Sequence, residues 1–263
     1  MKKQLLDLKV RQVERISEKH VLIRLTDDHP LPHMMPGQFV EARVDHSATT
    51  FLRRPISICF VDEALNELWL MVAMIGEGTR RLGQLHAGDT LNCLLPLGNG
   101  FTLSAATTHA SSSAFRPVLV GGGVGVAPLL YLGAMLKRQG AEPTFLLGAR
   151  TAVDLLMLNS FKQFGRVCLT TEDGSAGEKG FVTNHSVLQE HFDYIYTCGP
   201  TPMMKAVARY ATSKGVACEA SLENMMACGL GACLCCVEKT VEGNLCVCKE
   251  GPVFNVKRLL WQN

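Results

Sequence analysis

Six cysteines, Cys228, Cys233, Cys235, Cys236, Cys246 and Cys248, fall within a 21-residue window, whereas Cys59, Cys93, Cys168, Cys198 and Cys218 are scattered. Cys228 and Cys233 enclose four residues and Cys236 follows after two more, with cysteines again downstream. This is the C-x4-C-x2-C spacing of plant-type [2Fe-2S] ligation. Two bridged irons need four thiolates in all, and spacing alone leaves Cys235 and Cys246 beside the other choices. Gly229 and Gly231 inside CGLGAC let the chain wrap closely around inorganic sulfide and turn N–H groups toward it. A four-thiolate structural zinc is the competing chemistry, but it favours paired C-x2-C hairpins, of which only one is clear here.

Further upstream, VLVGGGVGVAPLLYL runs from an apolar strand through Gly121, Gly122, Gly123 and Gly125 into a helix that opens near Ala127 and Pro128. Proline in a first helical turn sacrifices no hydrogen bond, and free N–H groups at a helix start suit a pyrophosphate. The run is not the G-x-G-x-x-G fingerprint. Its place after the first strand of an α/β unit is nevertheless where such sheets bind dinucleotides. Cys198-Gly199-Pro200, between the strand YIYT and the helix TPMMKAV, belongs to the same edge. Nearer the N-terminus, Arg53-Arg54-Pro55-Ile56-Ser57 and Ile75-Gly76-Glu77-Gly78-Thr79 offer a guanidinium with hydroxyl and backbone donors for a diphosphate. Met203-Met204 and Met225-Met226 read as packing residues, and His20, His29, His33 and His46 as surface residues without ligand spacing.

These groups must be positioned by folded elements, and the 263 residues suffice for two compact domains and an appendage. From Leu6 to Leu95, short alternating apolar runs separated by turn residues predict an antiparallel barrel over 1–103. Ser104 to Ser113, small and polar, is expected to be a linker. Over 114–222 the pattern becomes strand then helix: TFLLGAR precedes TAVDLLMLNSFKQF, and RVCLTTEDG precedes a helix near Val187. Such alternation predicts a parallel sheet covered by helices. The segment 223–263, too poor in apolar residues for its own core, should be held together by its metal centre. A net charge of +2, without Lys/Arg blocks, gives nucleic acid or an anionic membrane little to grip. No transmembrane span or secretory h-region is expected, and the cysteine content fits a reducing, cytoplasmic setting.

The ordered motifs RPIS, GEGT, GGGVGVAPL and CGP resemble the ferredoxin-NADP reductase-like flavoproteins over nearly the whole chain. ENMMACGLGACLCCV followed by VCKEGPVF resembles one branch, the electron-transfer subunits of class 1B dihydroorotate dehydrogenases. The resemblance implies FAD contacts at Arg54, Pro55, Ile56, Ser57, Met71, Val72, Ala73, Gly78 and Thr79, with Arg54 at the diphosphate and Ser57 near the flavin ring. It implies NAD(H) at Gly121, Gly122, Gly123, Gly125 and Pro128, with Cys198, Gly199 and Pro200 near the reacting ring. Ser57 and Cys198 are then the catalytic candidates. It makes Cys228, Cys233, Cys236 and Cys248 the cluster ligands, and an FMN-containing catalytic subunit, in a heterotetramer of two chains each, the partner. Cys235, where similar proteins carry a small residue, departs from the pattern. Glu172, Asp173 and Arg150 leave NADH against NADPH open by residue type, and the resemblance favours NAD. A subunit of an NAD(P)H-ferredoxin oxidoreductase or sulfur-reducing hydrogenase is an alternative on a similar scaffold, as is a non-catalytic nucleotide sensor with structural zinc.

Overall fold

A computed structural model describes residues 2–103 and 114–261; the linker expected over 104–113 lies outside them. The N-terminal half is a closed antiparallel barrel of β1 (Gln4–Ser17), β2 (His20–Thr26), β3 (Phe39–Ala42), β4 (Arg54–Asp62), β5 (Glu67–Ala73) and β6 (Thr90–Leu97), in the order β1-β2-β5-β4-β3-β6. Alternating side chains such as Val21, Ile23, Leu25, Leu70 and Val72 fill its interior. Between β5 and β6, a single short helix, α1 (Glu77–Leu82), carries the GEGT segment.

The second half is a seven-stranded sheet built from β7 (Pro117–Gly122), β8 (Thr144–Ala149), β9 (Arg166–Thr171), β10 (Glu178–Lys179), β11 (Tyr194–Cys198), β12 (Ala217–Ser221) and, after a two-stranded ribbon of β13 (Val237–Thr240) and β14 (Gly243–Cys246), β15 (Val253–Asn255). The order is β10-β9-β8-β7-β11-β12-β15, parallel except for the β12–β15 pair. Strand order reverses between β7 and β11. That switch point leaves a crevice beyond their carboxyl ends, where ligands of open α/β sheets bind. Helix α2 (Ala127–Arg138) follows β7 and is apolar nearly all round, since it is covered by the sheet on one side and the barrel on the other. Its Tyr131 hydroxyl donates to the Met34 carbonyl at 3.1 Å, and its ring meets Phe60 of β4 edge-on.

Two expected helices are smaller than the sequence predicts. TAVDLLMLNSFKQF forms a 3-10 turn at Ala152–Asp154 and then only the five-residue α3 (Leu158–Lys162), because Leu155 is extended and Met157 is left-handed, with φ 53°. Near Val187 there are two 3-10 turns, Val182–Asn184 and Ser186–Gln189, which bury Val182, Val187 and Leu188 without helical periodicity. Helix α4 (Thr201–Lys214) forms as expected, closing at Gly215 in the left-handed conformation. The final segment divides in two: the cysteine-rich loop and β13–β14 ribbon stand apart from the sheet, whereas β15 is an edge strand of it.

Candidate active site

Barrel, sheet and cysteine-rich segment meet at a cavity of about 230 Å³. Pro55, Ile56 and Ser57 reach it from β4, Met71 and Ala73 from β5, and Thr79 from α1. Val124 and Ala127 enter from the glycine-rich turn, and Leu222, Glu223, Asn224, Met226 and Pro252 come from the other side. Val72, on the opposite face of β5, points into the barrel core, as the period of two requires. Phe39, paired with Ser57 across β3–β4, also lines the cavity.

Arg54 lies beside rather than in this cavity, packed over Gly78. A Cβ built on Gly78 would come within 2.9 Å of the Arg54 Nε and 3.0 Å of Thr50 Cγ2, so only glycine leaves the guanidinium where it is. Arg54 donates to the carbonyls of Leu52 and Arg53 at 3.2 and 3.3 Å and makes no carboxylate salt bridge among the described residues. Its charge is free for an anionic ligand, which fits a flavin diphosphate.

At the switch point, β7 ends in Gly121-Gly122 and a 3-10 turn, Gly123–Val126, feeds α2, with Pro128 in the first turn. Gly123 has φ +56° and faces open space. Gly125 is pressed against the neighbouring turn, where an added Cβ would lie 2.4 Å from Gly199 Cα and 2.6 Å from its nitrogen. A Cβ on Gly199, whose φ is +148°, would meet the Gly122 backbone at 3.0 Å. The two glycine turns thus form one bare-backbone cradle, with Pro200 as the N-cap of α4, and Ala127 at the start of α2 lines the neighbouring cavity. Met203 packs against Gly122 as expected of a packing residue, but Met225 is 83% exposed and Met226 lines the cavity.

Cys198 is fully buried behind the cavity wall, and burial pushes its thiol well above the ordinary range, so it is a neutral group. Its Sγ lies 3.9 Å from Glu223 Oε1. Glu223 is an exposed residue whose carboxyl is crowded by its neighbours and shifted upward by desolvation, and it lies at the cavity rim beside the buried thiol. Sequence inspection missed Glu223, Phe39 and Pro252, whose roles depend on where distant strands return.

The cysteines sort into pairs. Cys228 contacts Cys233, and its thiol is held down to about 6 chiefly by the Leu230 N–H, 3.3 Å from Sγ, with help from the Cys233 and Ala232 N–H groups. Gly229 and Gly231, at φ 64° and 83°, produce the turn that aims these donors. Cys236 and Cys248 are both buried and in contact, and the Cys248 N–H donates to Cys236 Sγ at 3.4 Å. Two thiol pairs suit two irons with two ligands each. Among the described residues, no three His, Cys, Asp or Glu side chains close on a single ion. Cys233 and Cys235 are both exposed, and Cys246 is half-buried with its Sγ 3.9 Å from the Gly231 carbonyl. The residues therefore fit the flavin, the dinucleotide and the two-iron cluster.

Known proteins agree with this geometry. Residues 223–260 match the iron-sulfur cluster binding domain of dihydroorotate dehydrogenase B, and residues 119–209 an oxidoreductase NAD-binding domain. The chain is 40% identical over 254 residues to the dihydroorotate dehydrogenase B (NAD(+)) electron transfer subunit of Shouchella clausii, covering 94% of both chains. It is 39% identical to that of Listeria monocytogenes, over 94% of this chain and 96% of the other. Among solved structures, the NADH-dependent reduced ferredoxin-NADP oxidoreductase superposes with a TM-score of 0.84 at 29% identity, over 97% of this chain and 90% of that one. A ferredoxin NADP+ reductase from Neisseria gonorrhoeae with bound FAD and NADP shares the fold at a TM-score of 0.64 and 18% identity, over 80% and 92%. At 39–40% identity over most of both chains, and with the matched iron-sulfur and NAD-binding domains, the chain belongs to the family of dihydroorotate dehydrogenase B (NAD(+)) electron transfer subunits.

Proposed function

We propose that this chain moves electrons between NADH and the FMN-containing catalytic subunit of a dihydroorotate dehydrogenase, in a heterotetramer of two chains each. The carrying observation is the convergence of the RPIS strand, the glycine-rich turn and the cysteine-rich segment on one cavity. FAD supplies hydride exchange with NADH and one-electron transfer onward, and a [2Fe-2S] cluster supplies a one-electron acceptor. The chain's own residues hold and order these groups. Arg54 neutralises diphosphate charge over the space that Gly78 leaves. Ser57 presents its hydroxyl to the cavity from β4, Glu223 lines the far rim, and the buried Cys198 behind it stays a neutral thiol. The Gly121–Gly125 turn and Gly199 admit the dinucleotide backbone closely, while Cys228 with Cys233 and Cys236 with Cys248 each serve one iron.

Among the described residues no helix is long and apolar enough to cross a membrane. The test is purification with and without the FMN-containing subunit. The chain alone should reduce dyes with NADH, orotate should form only with the partner, and native mass should give a four-chain assembly. Absence of dye reduction from flavin-replete chain would refute the FAD assignment. A second reading, electron transfer to a ferredoxin, is favoured by the likeness to the NADH-dependent reduced ferredoxin-NADP oxidoreductase. A ferredoxin-linked partner that co-purifies in place of the FMN subunit would select it.

A further inference from the structure

β3 presents two residues on one face toward the rest of the molecule: Phe39, which lines the cavity, and Glu41 two positions on. Glu41 is wholly buried, and neither carboxylate oxygen has a hydrogen-bond partner among the described residues. The neighbouring Arg53 does not neutralise it directly: its terminal nitrogens donate to the backbone carbonyls of Glu41 and Asn92 and to Asn92 Oδ1. The carboxylate is instead pressed against the cysteine-rich loop. A Cβ on Gly229 would fall 2.7 Å from Glu41 Cγ and 3.1 Å from its Oε1. Glu41 also pairs across the barrel with Pro55, a cavity residue. One strand face therefore spans from the flavin pocket to the loop that carries Cys228 and Cys233.

An unpaired carboxylate excluded from water is expensive to keep: burial pushes Glu41 up to about 7 against the pull of Arg53 and Arg54, so above that pH it is an anion whose field is poorly screened. Adding one electron to a cluster on this loop adds one negative charge, breaks no bond and requires no further reactant. A fixed anion beside it opposes that addition, since net charge and solvent exclusion are among the factors that set iron-sulfur potentials. We propose that Glu41 is a tuning residue of the electron relay, a buried carboxyl set against Gly229 that in its ionised form holds the cluster's reduction potential low. This rests on the cluster reading above.

The experiment is an EPR-monitored redox titration at pH 9 of the cluster-loaded full chain as wild type, Glu41→Gln, Glu41→Met and Glu41→Asp. The two neutral variants should raise the cluster midpoint by about tenfold in the one-electron equilibrium, about 59 mV, with the flavin potential unchanged. Glu41→Asp, which keeps the charge, should stay near wild type. Neutral variants with the wild-type midpoint, or failure of both to load a cluster, would overturn the assignment. Wild-type chain without iron and acid-labile sulfide after anaerobic reconstitution would remove the cluster reading, and this inference with it.

Discussion

Replacing Gly125 by alanine tests the nucleotide cradle most directly. The added methyl would sit 2.4 Å from Gly199 Cα and 2.6 Å from Gly199 N, both backbone atoms that cannot rotate away, where ordinary contact begins at 3.4 Å. The two turns must then separate by about 1 Å, and overpacking of this kind costs ~1–3 kcal/mol. If the strain is relieved by opening the cradle, NADH binding weakens by about 5- to 150-fold. The assay is steady-state dye reduction against NADH concentration, with FAD content and thermal midpoint measured alongside. KM for NADH should rise while FAD stays bound. Gly123→Ala is the internal comparison: it meets no atom within 4 Å but must hold φ +56°, so it should cost only the ~1–2 kcal/mol of a left-handed residue. Unchanged KM and kcat in flavin-replete Gly125→Ala would refute the cradle.

Other outcomes follow from the same geometry. Gly78→Ala should push Arg54 off its place and lower FAD occupancy after gel filtration, and full retention of flavin would count against Arg54 as the diphosphate residue. Cys248→Ser should abolish the iron-sulfur visible absorption while Cys246→Ser and Cys235→Ser keep it; the reverse pattern would reassign the fourth ligand. Glu223 should make stability depend on pH. Although the residue is exposed, crowding by its neighbours desolvates and raises its carboxyl, so folding favours the protonated form; the small penalty is absent below the ordinary carboxylate range and grows as pH rises toward the raised value. Glu223→Gln should therefore gain thermal stability over wild type at neutral pH and not in acid, and a pH-independent gain would exclude this cause.

The features legible in the sequence are those encoded locally. The Cys228–Cys236 spacing, the bare glycines of the β7–α2 turn and the alternation of the barrel strands each reflect a few neighbouring residues obeying one geometric rule. Glu223, Phe39, Pro252 and Glu41 follow no such rule. Each is ordinary within its own segment and acquires a role only because β3, β12 and the chain before β15 return to the same place. Helix length failed for a related reason: Val182, Val187 and Leu188 are apolar because they cover a sheet, which 3-10 turns do as well as a helix. Spacing did not distinguish Cys248 from Cys246; in the structure Cys248 is buried beside Cys236 and Cys246 is half-buried, and the serine variants above test which of them is a ligand.

The attachment of β15 bears on how this chain delivers current. Beyond the cysteines the polypeptide is sewn back into the reductase at several points: β15 to β12, the Leu222 N–H to the Pro252 carbonyl at 2.9 Å, and the Asn99 N–H to the Gly251 carbonyl at 2.6 Å. A carrier on a leash must diffuse between donor and acceptor, and its throughput falls as the medium thickens. Here the wire is soldered at both ends, so turnover inside the chain should be indifferent to glycerol or sucrose, and any viscosity dependence belongs to encounters with molecules outside it.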